Sequence, residues 1–257
     1  IFLLLGARIF STLIYDTSGI YLKKPWLIFW PFQGKKFVGL AGMSYHGGFI
    51  GGLLGMIIWC YRHKKPILKW IDAMVMAIPL GYTFGRIGNF LNGELYGRIT
   101  TMPWGIIFPN APRFSTSLQW VQDFAQSSDL QINSTLINLP RHPSQLYEAF
   151  FEGIVLWCII WFTRKIKPFD GFSSALYTFG YGFARFFIEY FRQPDEDIGY
   201  RIQATSDAPT YLNVSLLNLS TGQVLCILMM IGSIAFIILG LCLKNKSKNK
   251  KTIKNNP

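Results

Sequence analysis

Acidic residues are scarce in this chain: 13 Asp and Glu stand against 25 Lys and Arg, a formal charge of +12 over 257 residues. Histidine is scarcer still, at three, and the four cysteines (Cys60, Cys158, Cys226 and Cys242) lie within or at the ends of apolar runs. None has CxxC or Cys/His spacing, which argues against a disulfide framework and against a zinc site. No metal and no cofactor is expected. There is no P-loop and no GxSxG, so neither nucleotide-driven pumping nor serine-hydrolase chemistry is supported. The halves show neither a repeat of about 20–50 residues nor a matched pair of interrupted apolar segments, which weakens an inverted-repeat transporter. A charged start and a small-residue cleavage site are missing too, so no cleavable signal peptide is recognised. The sequence opens on Ile1 inside an apolar run, and a further piece upstream is expected.

What the chain has in abundance is apolar sequence, 51% of it, gathered in long blocks instead of alternating stripes. That pattern predicts an all-α, polytopic membrane bundle. Six apolar segments are read, at 1–15, 43–61, 71–92, 146–162, 172–191 and 222–243. The connections 62–70 and 163–171 are short and basic, and carry Arg62, Lys64, Lys65, Lys69, Arg164, Lys165 and Lys167. Alternation puts them on the same side as the lysine-rich tail, and the positive-inside rule makes that side cytoplasmic. The basic excess therefore belongs with an anionic membrane surface, and no nucleic acid partner is implied. One transmembrane domain, 1–243, is expected. Its segment 93–145, with Pro103, Pro109, Pro112 and Pro140, forms a small extracytoplasmic head, and a disordered basic tail at 244–257 follows.

Chemistry concentrates in Gly81-Tyr-Thr-Phe-Gly-Arg-Ile-Gly-Asn-Phe-Leu-Asn-Gly-Glu-Leu-Tyr-Gly-Arg98. Arg86 and Asn89 are three apart and share one helical face, with Asn92 and Glu94 where the helix ends. A guanidinium at mid-bilayer costs about 2.5–3.5 kcal/mol on the insertion scale, so it requires a partner, a wet cavity or an anionic ligand. Two readings stay open: a structural Arg–Glu pair, or a site for a negatively charged molecule of the membrane.

In the fifth segment Tyr181, Arg185 and Glu189 step by four along one face. Arg185 and Glu189 either pair with each other, or Glu189 serves Arg86 and frees Arg185; two converging arginines would suit a phosphate. The second segment, Ser44-Tyr-His-Gly-Gly-Phe-Ile-Gly-Gly-Leu-Leu-Gly55, carries a ridge of Gly47, Gly51 and Gly55 suited to close helix packing. His46, at the outer end of that helix, is a candidate base because its pKa lies near neutrality. Arg141-His-Pro-Ser-Gln-Leu-Tyr-Glu148 opens the fourth segment. There Pro143 suits a helix start, and Glu148 is assigned to the helix dipole. Arg8 is a further intramembrane cation.

These runs, together with Tyr181-Gly-Phe-Ala-Arg-Phe-Phe-Ile-Glu-Tyr-Phe-Arg-Gln-Pro-Asp195, closely resemble the bacterial prolipoprotein diacylglyceryl transferases, in the family's order and over most of the chain. The resemblance implies a seven-helix inner-membrane enzyme with a periplasmic head, six of its helices being present here. Its reaction passes the diacylglyceryl group of phosphatidylglycerol to the lipobox cysteine of a prolipoprotein. It further implies that Arg86 and Arg185 hold the lipid phosphate, and that Asn89, Glu94, Gly97 and Glu189 serve activity or site architecture. Tyr181 is placed with the lipid-binding residues, and His46 falls on the proposed base. The family's first helix has no counterpart here, and its Gly-Gly-Arg-x-Gly reads Gly6-Ala-Arg-Ile-Phe10.

Overall fold

The computed structural model describes residues 1–16, 19–33, 36–37, 39, 42–194, 200–204 and 209–254; Asp195 and the last residues of the tail lie outside them. The protein is mostly helical, and each of the six apolar segments forms helix. Two units are distinguished, Ile1–Trp70 and Ile71–Pro257.

In the first unit, α1 (Phe2–Phe10) runs on through a widened π-helical turn at Ser11–Tyr15. A single turn, α2 (Ile20–Lys23), and a β1–β2 hairpin (Phe32–Gln33 with Lys36–Phe37) lead to α3 (Tyr45–Arg62). Ser44 caps α3 by accepting from the Gly47 N–H at 3.1 Å, and its own N–H donates to the Ala7 carbonyl at 2.9 Å. The glycine ridge packs on α1 as its spacing predicts. A Cβ on Gly51 would overlap the Phe2 carbonyl, and one on Gly47 would overlap Phe10 and the Gly6 carbonyl. Arg8 is buried and donates to backbone: its Nε to the Ile28 carbonyl at 2.5 Å and its Nη1 to that of Gly42 at 3.2 Å.

The second unit holds α5 (Ile78–Leu91), α6 (Gln119–Ser127), α7 (Ser144–Glu148), α8 (Leu156–Thr163), α9 (Phe172–Ile188) and α10 (Thr221–Lys254); the unit boundary cuts the preceding α4 (Ile67–Met74). The apolar segment expected over 71–92 starts earlier and is interrupted between Met74 and Ile78. Pro79 lacks the N–H that would continue the ladder, so it sits in the first turn of α5 and begins a new helix. A π-helical turn at Ala149–Val155 joins α7 to α8. α10 runs on to Lys254, well into the segment whose composition predicts disorder, because turns already nucleated in apolar sequence propagate cheaply. Short ladders pair β3 (Phe114–Ser115) with β4 (Leu136–Ile137), and β5 (Tyr200–Ile202) with β6 (Leu219–Ser220).

Among the described residues three helical stretches are long and apolar enough to cross a membrane: Ile67–Leu91, Ser144–Thr163 and Thr221–Lys246. Their outward surfaces are apolar, with Phe84, Leu91, Phe162, Leu228 and Leu239 all exposed. So much exposed apolar side-chain surface on these helices suits contact with lipid.

Two polar devices hold the second unit. Asp72, buried, accepts from the backbone N–H groups of Gly171 at 2.9 Å and Ser174 at 3.0 Å, from the Ser174 hydroxyl at 2.8 Å, and from Lys167 at 3.0 Å. It thereby caps the start of α9 from another helix. At the other end of α9, Gly97–Thr100 is laced between two neighbours. Gly97 N–H donates to the His142 carbonyl at 2.9 Å, Arg98 N–H to that of Phe191 at 2.8 Å, and His142 N–H back to that of Arg98 at 2.9 Å. The three sequence motifs that end α5, open α7 and end α9 therefore meet in one place.

Replacing Gly51 by Leu is expected to cost about 1–3 kcal/mol or more through overpacking, read as a lower thermal unfolding midpoint of detergent-solubilised protein. Asp72→Ala strands buried N–H donors at about 1–3 kcal/mol each. It should lower that midpoint by more than Lys167→Ala does.

Candidate functional site

α5 presents Tyr82, Arg86 and Asn89 on one face, and α9 presents Tyr181, Arg185 and Glu189. Between them stand Glu148, the last residue of α7, and Glu152, in the π-helical turn that comes next. α5 reaches this turn closely because Gly153 has no side chain; a Cβ there would overlap the Thr83 hydroxyl. Widened turns of this kind recur at functional sites, where they re-aim side chains.

Glu148 is completely buried and is the hub. Its Oε2 receives Arg86 Nε at 2.9 Å, Arg185 Nη1 at 2.8 Å and the Tyr82 hydroxyl at 2.9 Å. Two guanidiniums from different helices thus converge on one oxygen. The Arg86 guanidinium also lies over the Tyr82 ring, 4.8 Å from its centre. Glu152, equally buried, is 2.5 Å from the Tyr82 hydroxyl and 3.8 Å from Arg185 Nη1. Arg185 Nη2 meets Glu189 at 3.1 Å, while Glu189 also takes the Ser220 hydroxyl at 3.0 Å and lies 3.7 Å from Arg192.

The outer edge is a relay of amides. Arg86 Nη1 faces Asn89 Oδ1 at 3.4 Å, and Asn89 Nδ2 donates to Glu94 Oε1 at 2.8 Å. The buried Gln145 donates to the Glu94 backbone carbonyl at 2.6 Å. Asn89 and Glu94 therefore orient Arg86. Tyr181 meets the Tyr82 ring edge-on at 5.9 Å. Gly97 is buried where a Cβ would overlap the Phe191 carbonyl and crowd His142. It lets the chain pass between them.

Arg141 is wholly buried; it donates to Gln193 and lies over the Tyr96 ring, 4.8 Å from its centre. Arg98, also buried, donates to the carbonyls of Arg192 and Leu212, each at 2.9 Å. These arginines fasten the loops around the site. His142 contacts the Tyr147 hydroxyl at 3.2 Å, which in turn accepts from the Trp104 indole N–H at 2.7 Å. Burial pushes the His142 pKa down, favouring the neutral ring. Beside this trio opens an apolar groove of about 600 Å³ along α8 and α9, lined by Phe151, Leu156, Phe183, Ala184 and Phe187 among others.

Of the residues singled out from sequence, Arg86, Asn89, Glu94, Tyr181, Arg185 and Glu189 belong to this connected network. His46 is exposed in the first turn of α3, in the first unit. The pairing suggested between Glu189 and Arg86 is not the one formed: Arg86 is held by Glu148, and Arg185 has both Glu148 and Glu189. The dipole role assigned to Glu148 is likewise superseded, since its carboxylate is engaged by side chains of other helices. The reading from sequence passed over Glu148, Glu152 and Tyr82 as site residues. Two acids four apart in an apolar segment had to look inward by the rule that singled out Arg185 and Glu189. Among the described residues no group of three or more His, Cys, Asp or Glu is placed to hold a metal ion.

The family model described as prolipoprotein diacylglyceryl transferase matches residues 1–239. Proteins named phosphatidylglycerol–prolipoprotein diacylglyceryl transferase are similar across nearly the whole chain. The one from Treponema pallidum is 56% identical over 239 residues, covering 90% of this chain and 72% of its own length. That of Treponema denticola is 56% identical over 260 residues, with 97% and 77% covered. That of Borreliella burgdorferi is 45% identical over 264 residues, with 98% and 78% covered. With the network of α5, α7 and α9 assembled from the residues that carry the resemblance, the chain belongs to the prolipoprotein diacylglyceryl transferase family.

Proposed function

We propose that this protein transfers the diacylglyceryl group of phosphatidylglycerol to the lipobox cysteine thiol of a prolipoprotein, the first step of lipoprotein maturation. The observation that carries the reading is the convergence of Arg86 and Arg185, from two helices, on the single buried oxygen of Glu148. Held side by side in this way, the two guanidiniums can present their remaining N–H donors together to one phosphate group. A transporter built on the same charges is not favoured, because the similar proteins are named as transferases.

In the reaction the cysteine sulfur attacks a glycerol carbon, a C–S bond forms, and the C–O bond to phosphate breaks. The bonding pair leaves on glycerol phosphate, and the thiol proton passes to a base. Negative charge grows on the leaving phosphate, and arginines already fixed by buried carboxylates meet it without reorganising. Asn89 and Glu94 hold Arg86 at its angle, while Glu189 does so for Arg185. Gly97 keeps the loop beside them close-packed. Tyr181, behind Tyr82, walls the site. His46 is the proton acceptor on this reading, by resemblance. None of the chain's own cysteines has to react.

The lipid approaches from the bilayer, and the apolar groove along α8 and α9 offers an acyl chain a track beside the charged cluster. The protein is on this reading a six-helix, multi-pass inner-membrane bundle. Segment 93–145 is its head on the outer side, and the short basic loops and C-terminus lie in the cytoplasm.

Arg86→Ala is expected to abolish diacylglyceryl transfer in proteoliposomes carrying phosphatidylglycerol and a lipobox peptide, a loss of about a hundredfold or more. Arg86→Lys should recover little, since a point charge lacks the fork. Full activity of Arg86→Ala would remove this site from the reaction. For His46, replacement by Gln should depress turnover across neutral pH; near-normal rates would move the proton acceptor elsewhere.

A further inference from the structure

Glu94 is exposed to solvent, so the buried carboxylates of the cluster are Glu148, Glu152 and Glu189; were all three ionised, they would match Arg86, Arg185 and Arg192 and leave no charge to attract an anionic lipid. The oxygen geometry around Tyr82 disfavours that state. The Tyr82 hydroxyl touches two carboxyl oxygens, Glu148 Oε2 at 2.9 Å and Glu152 Oε2 at 2.5 Å. A phenol has one proton to donate. With both acids ionised, one of these contacts would press lone pair against lone pair between buried atoms. Two oxygen–oxygen contacts this short are each best filled by a proton of their own, and the second would come from a carboxyl group.

The surroundings decide which one. Glu148 Oε2 takes N–H donors from two guanidiniums at hydrogen-bonding distance, an arrangement that suits a carboxylate oxygen. Glu152 has its nearest guanidinium at 3.8 Å, and its Oε1 is buried without a hydrogen-bond partner among the described residues. Glu148 Oε1 also lacks one, but its charge is met through Oε2. The ionisable groups around Glu152 are Tyr82 and Arg86 from α5, Tyr181 and Arg185 from α9, Cys226 from α10 and Glu148 one turn before it.

We propose that Glu152 is held as the neutral acid, donating to the Tyr82 oxygen while Tyr82 donates to Glu148. Three guanidiniums then face two buried carboxylates, Glu148 and Glu189, and the buried cluster keeps one positive charge for the single negative charge of a phosphodiester headgroup. Glu152 is thus a positioning residue: it fixes Tyr82 and sets the charge of the site without touching the lipid. Only the identity of the anion rests on the transferase reading.

The experiment is infrared spectroscopy of the purified protein in lipid nanodiscs in D2O at neutral pH, where a neutral carboxyl group shows a carbonyl stretch apart from the carboxylate bands. The wild type should show that band, and Glu152→Gln should lose it while Glu148→Gln and Glu189→Gln keep one. The band should persist when phosphatidylglycerol replaces phosphatidylcholine in the disc. Should Glu152→Gln fail to fold, Tyr82→Phe serves in its place: the band should move to higher frequency as the acid loses its acceptor. Absence of the band from the wild type, its survival in Glu152→Gln, an unmoved band in Tyr82→Phe, or its loss on adding phosphatidylglycerol would each overturn the proposal. A wild type that shows the band yet transfers no diacylglyceryl group would instead count against the transferase reading alone.

Discussion

A carboxylate sealed from water and shared by two guanidiniums is the constraint around which the second unit is arranged. Removing one partner from such a buried arrangement typically costs about 3–5 kcal/mol, since the remaining charges stay desolvated. Glu148 therefore ties α5 to α9 through α7, and the ends of all three helices have to arrive at one point. Gly153 brings α5 close enough, and the widened turn after Glu148 sets Glu152 against Tyr82. The laced backbone of Gly97–Thr100 then locks the register of the chain as it leaves α5.

This arrangement also resolves a tension between packing and binding. Arginines engaged by carboxylates look like mere struts, yet a strut and a receptor differ only in whether the local charge closes to zero. Fixed guanidiniums have little rotamer entropy left to lose when an anion arrives. On the proposed function, the carboxylates that would compete with a phosphate also make the arginines ready for one.

Much of this was legible in the chain. The three- and four-residue spacings of Arg86 with Asn89, and of Tyr181, Arg185 and Glu189, define helical faces with no knowledge of the fold, and the structure puts those faces into one network. The glycine ridge of α3 was legible for the same reason. Partner choice was not. Tyr82 and Glu148 are 66 residues apart, and no local pattern announces that pairing. Asp72 looks like a lone acid in an apolar run until the start of α9 is seen against it. The break before α5 turned on one proline, whose missing N–H outweighed the continuity of the apolar run.

The lacing of Gly97–Thr100 also limits how the bundle can move. It fastens the ends of α5, α7 and α9 by main-chain bonds that no lipid can replace, so these helices cannot part there. Any breathing of the bundle that admits a bulky two-tailed molecule has to pivot about this fastened end. The splay must grow toward the opposite ends of the helices, as with tongs riveted at the tip.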